Sequence, residues 1–204
     1  MVSEQITERA VQDRLFLAMQ SRCQLILPNY TPAGWHECDL WAVTRSGYAQ
    51  EYEVKVTVSD FKADAKKIDR RYGRYVSGQW VKSDSRRKYD RLTAGDPMGP
   101  TMFWYVVPEG LLEGQELPRW AGLIEVEAGK YGTVILCRRQ DGPRLHNTKV
   151  GDRIMAHARG ICYWRFWTER RRLDRLLRDY QELYRGETHT LEADRSSPAQ
   201  EDTK

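Results

Sequence analysis

Short apolar runs bounded by turn residues alternate along this chain with stretches whose apolar positions recur every three to four residues, the pattern of an α/β domain. Residues 3–21 predict a first helix, with Ile6, Ala10, Val11, Leu15, Leu17 and Ala18 on one face and Ser3 or Thr7 as the N-cap. A short strand at 23–27 ends in Pro28-Asn29-Tyr30, and Thr31-Pro32-Ala33-Gly34 reads as a loop. Two strands at about 36–44 and 49–58 flank the turn residues Arg45-Ser46-Gly47 and predict a hairpin. Ser59-Asp60 offers an N-cap for a helix carrying Phe61, Ala65 and Ile68. Strands follow at 102–107, stopped by Pro108, and at 121–126 and 132–137. Residues 149–185 predict a helical region broken at Gly160, whose second part aligns Leu173, Leu176, Leu177, Tyr180 and Leu183 on one stripe. The expected organisation is one domain over 1–185, with a basic insertion at about 70–100, and a disordered polar tail at 186–204.

Charge interrupts this pattern most informatively at Glu53-Val54-Lys55, inside the apolar-leaning run from Tyr52 to Val58. Side chains two apart on a strand share a face, so Glu53 and Lys55 project together while Tyr52, Val54 and Val56 project the other way. The hairpin brings Asp39 of the preceding strand beside Glu53. Two carboxylates and a lysine at one spot suit a divalent cation beside a phosphodiester, because Mg²⁺ prefers oxygen ligands and needs only one or two carboxylates. Asp39, Glu53 and the backbone carbonyl of Val54 are the candidate metal ligands, with Lys55 beside the attacking water. Glu37 and Glu51 share the parity of their neighbours and are alternative ligands, and Glu8 of the first helix is a further carboxylate. Alternating charge on the solvent face of a sheet would produce the same string.

Composition narrows the classes. At 204 residues and 23.9 kDa, the chain supports an ordinary domain core. The net charge of +4 is compatible with a nucleic-acid partner without requiring one. Cys23, Cys38, Cys137 and Cys162 show neither CxxC pairing nor zinc-ligand spacing and are expected as reduced thiols. No apolar run approaches the roughly 20 residues of a membrane span, and a cytoplasmic location is expected. Arg70, Arg71, Arg74, Lys82, Arg86, Arg87 and Lys88 come interleaved with Tyr72, Tyr75, Trp80 and Tyr89. Cations for phosphates among rings for bases suit a DNA groove. The arginines at 170–178 read instead as the solvated face of a helix.

An acid at a strand end, a hairpin, then Glu-x-Lys and a helix resembles the PD-(D/E)xK nuclease superfamily, with Cys38-Asp39 in place of Pro-Asp. The longer string from Tyr52 to Asp64, together with 103–111 and 117–124, is similar to the MmcB-like DNA-repair nucleases and their phage-borne relatives. The resemblance covers roughly residues 3–148. It implies a restriction-endonuclease-like core, a mixed central sheet flanked by helices in αβββαβ order, here with an extra strand pair and a C-terminal helix. It also implies a Mg²⁺- or Mn²⁺-dependent deoxyribonuclease of DNA repair, recombination or phage DNA processing, with Asp39 and Glu53 as metal ligands and Lys55 as the catalytic lysine. The alternative is a DNA-binding or repair-scaffold module that keeps the fold without catalysis. A homodimer is compatible with either.

Overall fold

Thr7 opens the first helix, its hydroxyl accepting the Ala10 N–H at 3.3 Å. The structure, a computed structural model, describes residues 6–64, 73–82, 87–129 and 133–195. In chain order the elements are α1 (Glu8–Met19), β1 (Cys23–Tyr30), β2 (Cys38–Thr44), β3 (Ala49–Val54), α2 (Val58–Asp64), β4 (Gly73–Val76), β5 (Gln79–Lys82), α3 (Lys88–Thr93), β6 (Met102–Pro108), β7 (Ala121–Ala128), β8 (Val134–Gln140) and α4 (Asp152–Arg195).

Six strands form one mixed sheet in the order β1-β2-β3-β6-β7-β8. β1, β2 and β3 pair antiparallel, β6 lies parallel to both β3 and β7, and β8 returns antiparallel to β7. β1 runs on through Pro28, which pairs with Leu40. Proline is tolerated there because β1 is an edge strand and needs no donor on its outer side. Strand β3, by contrast, stops at Val54, short of the expected 58, and Thr57 rather than Ser59 or Asp60 caps α2 by accepting the Asp60 N–H at 3.1 Å.

Alternation along the strands separates two faces. Leu40, Ala42, Tyr52, Val54, Trp104, Val106, Ile124 and Val126 form a core with Val11, Leu15 and Met19 of α1. The opposite face carries Trp41, Glu51, Glu53, Phe103 and Tyr105, over which the crossover from β3 to β6 brings α2 and α3. Phe61 of α2 meets the Tyr105 ring edge-on at 5.0 Å, and Leu92 of α3 is buried. Within this crossover β4 and β5 form a separate two-stranded hairpin. Its turn residues Ser77 and Gly78 have φ of 50° and 79°, the left-handed pair that a tight hairpin turn requires.

The chain divides into two compact units, Met1–Ala158 and Arg159–Lys204, where the sequence predicted one domain. Helix α4 starts in the first unit, burying Met155 and Ala158, and supplies the second. It passes Gly160 unbroken and reaches Arg195, so residues 186–195 are helical and not the expected tail. One glycine costs a helix about 1 kcal/mol relative to alanine, too little to end an element of 44 residues.

Candidate functional site

The ladder between β2 and β3 ends at the Leu40–Tyr52 pair, so Asp39 and Glu53 lie one step beyond it where the strands part. Asp39 fills the opening: its Oδ2 accepts the Val54 N–H at 2.8 Å. The N–H and C=O of one strand residue leave on the same side. The Val54 carbonyl therefore shares the side of the backbone on which Asp39 stands.

Glu51, Glu53 and Lys55 project from β3 and its end onto the face covered by α2 and α3, with 0%, 0% and 5% of their surface exposed. Lys55 Nζ stands 3.2 Å from Glu53 Oε2 and 3.4 Å from Asp64 Oδ1. Tyr105 donates its hydroxyl to Asp64 Oδ2 at 3.0 Å, and the Tyr89 hydroxyl lies 3.0 Å from that of Tyr105. On the other flank, Lys88 of α3 pairs with Glu53 Oε1 and lies 2.6 Å from Glu51 Oε1. Trp35 Nε1 donates to Glu51 Oε2 at 2.6 Å. Arg91 stacks on the Trp35 ring at 4.4 Å and donates to the Gly34 carbonyl at 2.7 Å. Gly99 is needed beneath that ring, since a Cβ there would lie 2.6 Å from it.

Electrostatics follow from this crowding. Four carboxyl groups, Asp39, Glu51, Glu53 and Asp64, surround two ammonium groups, Lys55 and Lys88, with little water to screen them. Burial, then the charge of Glu53 and a hydrogen bond to it, push the Asp39 carboxyl up to about 8. Burial also raises Glu51, against the lowering charge of Lys88. Burial alone would lower Lys55, but Glu53, Asp64 and Asp39 outweigh it and hold the ammonium well above its ordinary value. Lys88 is raised in the same way by Glu51 and Glu53. Lys55 therefore stays charged at neutral pH.

A pH dependence of stability follows. Asp39 titrates near 3.8 when unperturbed and near 8 when folded, so between these values the folded state holds the extra proton. Its contribution to stability is therefore lost as pH rises across that window, with a slope of at most about 1.4 kcal/mol per pH unit. Thermal unfolding in chelator from pH 5 to 8 should show wild type losing stability relative to Asp39→Asn. Parallel curves for the two proteins would contradict this.

The residues named from sequence are thus distributed as follows. Asp39, Glu53, Lys55 and the backbone of Val54 come together. Glu51, weighed as an alternative ligand, joins them. Glu8 does not: it is exposed on α1 and accepts from Gln12 at 2.8 Å, and Gln12 in turn donates to the Asp39 carbonyl at 2.9 Å. Lys88, expected to contact DNA, is a correction, because it is fully buried between Glu51 and Glu53. Arg87 is exposed. Arg74 and Lys82 belong to the β4–β5 hairpin, paired with Val81 and Gly73. Arg70, Arg71 and Arg86 lie outside the described residues. Asp64, Tyr105 and Trp35 had no assigned role; for Asp64 the signal was its position four residues after Asp60 in the helix that follows Lys55.

Among the described residues no group of three or more His, Cys, Asp or Glu side chains is placed to hold a metal ion. The donor chemistry nevertheless fits a hard divalent cation. Asp39 and Glu53 are close enough to hydrogen-bond through a proton, and the cluster has two more carboxyls than ammonium groups. Every donor is oxygen, and Mg²⁺ or Mn²⁺ takes one or two carboxylates with water completing the shell.

No family model and no curated protein matches this chain. Among solved structures it is similar to SPO1766, a protein of unknown function from Silicibacter pomeroyi, at 18% identity over 77% of this chain and 81% of that one, with a TM-score of 0.40. A likeness of that size assigns neither a family nor an activity.

Proposed function

We propose that the chain is a divalent-metal-dependent deoxyribonuclease built on a restriction-endonuclease-like core. One observation carries the reading. Asp39 and Glu53 meet where β2 and β3 part, with the Lys55 ammonium 3.2 Å from Glu53 and the cluster left with an excess of two negative charges when every group is ionised. The antiparallel run β1–β2–β3, the crossover through α2 and the parallel strand β6 support the same core.

Asp39, Glu53 and the Val54 carbonyl would hold the ion. Bound there, Mg²⁺ or Mn²⁺ would neutralise charge on the phosphodiester and lower the pKa of a coordinated water. The remaining work belongs to side chains of this chain. Lys55, charged throughout the neutral range, orients a water beside Glu53 and stabilises negative charge growing on phosphate oxygens. Asp64, fixed by the Tyr105 hydroxyl, holds Lys55 in place from the other side. Lys88 and Trp35 fix the glutamates, so the Glu53 carboxylate is set before substrate arrives.

A specific feature favours a second reading, a non-catalytic DNA-binding or repair scaffold. Glu53 already accepts from Lys88 on one oxygen and from Lys55 on the other, so both oxygens of this ligand are paired without a metal. Incubation of wild type with duplex, single-stranded and branched DNA in Mg²⁺ or Mn²⁺ separates the two. The nuclease reading expects cleavage that chelator abolishes and that Asp39→Asn reduces by at least roughly 10²-fold. Absence of cleavage on every substrate, with salt-sensitive DNA binding retained, would leave the scaffold.

A further inference from the structure

Helix α4 carries an apolar stripe unusual for an exposed surface. Phe166, Leu173, Leu176, Leu177 and Tyr180 are 53–64% exposed, as is Tyr163 at 58%. Phe166, Leu173 and Tyr180 recur every seven residues, and Leu176 follows Leu173 by three. That is the spacing with which one helix buries a seam against another. The polar flanks are mixed in sign: Arg172 lies 3.5 Å from Glu169, and Arg170 lies 3.8 Å from Asp174. Soluble proteins seldom leave a contiguous apolar patch of this size uncovered.

We propose that residues 169–180 of α4 are a self-complementary surface on which a second copy of this chain docks, helix against antiparallel helix, with the two-fold axis passing beside Asp174 and Arg175. The charges select this occupant and this direction. About an axis there, Leu173 of each copy layers on Leu176 of the other, and Arg172 of each copy faces Asp179 of the other, giving two equivalent ion pairs. Two polar residues interrupt the seam: Glu169 faces Tyr180 of the second copy, and Arg170 faces its Leu177. In a parallel pair Arg172 would instead meet Leu177, and Arg165 would meet Arg170. Covering the stripe on both copies removes on the order of 1,000 Å² of surface or more, the scale of a specific interface. An anionic lipid surface is disfavoured because acids interrupt the arginine face at Asp174, Asp179 and Glu182.

The test is sedimentation of the full chain at micromolar concentration. The expected species has twice the 23.9 kDa chain mass. Leu173→Asp with Leu176→Asp should return it to a monomer of unchanged helix content, since both side chains are more than half exposed within the single chain. Arg172→Asp and Asp179→Arg should each weaken the dimer on the order of tenfold, and the double exchange should restore it, because each variant alone sets two like-charge pairs at the interface. A wild-type monomer overturns the proposal, as does a dimer indifferent to the leucine changes. Failure of the double exchange to restore association overturns the antiparallel register. A monomer that floats with vesicles of anionic lipid would replace the second copy by a membrane surface.

Discussion

Lys88→Met is expected to cost roughly 3–5 kcal/mol of folding stability, the range for removing one partner of a buried charge pair. The Lys88 ammonium is fully buried, bonded to Glu53 and 2.6 Å from Glu51, with the Phe103 ring 5.0 Å away. Methionine keeps much of the stem volume but leaves two carboxylates facing each other without the buried ammonium between them, while Trp35 and Lys55 still donate to them. Against a typical stability of about 5–15 kcal/mol the loss is large. Urea unfolding should show the midpoint fall with little change in slope. Adding Glu51→Gln should recover part of the loss, because one uncompensated charge is then absent; the two changes are therefore non-additive. Lowering the pH should also narrow the gap between variant and wild type, since Glu51, already raised by burial, can take up a proton once Lys88 is gone. A variant within about 0.5 kcal/mol of wild type, the usual range for surface substitutions, would return Lys88 to the surface role its sequence neighbours suggested.

That suggestion illustrates where sequence reading succeeds and fails in this molecule. Parity did its work on β3. Glu51, Glu53 and Lys55 could be placed on one face, and Tyr52 and Val54 on the other, because a strand has a period of two whatever surrounds it. Asp39 was legible for the same local reason, the short turn that sets the β2–β3 register. Lys88 was not, because nothing local distinguishes it from Arg86 or Arg87. What buries it is a contact 35 residues back in sequence, made only when α3 is laid over β3 by the crossover. Trp35 is the same kind of case: a loop residue whose role comes from Glu51, 16 residues away. The length of β3 was overestimated because Val56, Thr57 and Val58 favour strands, yet Thr57 caps α2 and Val58 opens it. The β4–β5 hairpin was unread, although Ser77-Gly78 between apolar-leaning flanks is a hairpin signal.

On the proposed nuclease reading, Lys55→Met is expected to lower cleavage roughly 10²- to 10³-fold in kcat with a smaller change in KM, if Lys55 acts mainly on charge that develops in the transition state. The geometry explains why the loss should fall there. Lys55 is buried but for 5% of its surface and tied to Glu53 and Asp64, so it is positioned before any substrate binds and costs no ordering when phosphate charge builds. Its raised pKa, set by Glu53, Asp64 and Asp39 against burial, keeps it an ammonium across the neutral range. The lysine should therefore impose no titration of its own on the pH–rate profile near neutrality. Removing it also takes the nearby ammonium from Asp64, which keeps the Tyr105 hydroxyl, so some stability is lost as well. Rates must then be compared where both proteins are folded, with DNA affinity measured separately. Lys55→Arg separates charge from shape. A planar guanidinium keeps the charge but presents its donors in a fixed fork, so it should restore stability more than it restores rate. Equal recovery of both would make Lys55 a structural counterion to Glu53 and Asp64. An unchanged kcat in Lys55→Met would remove it from the chemistry altogether.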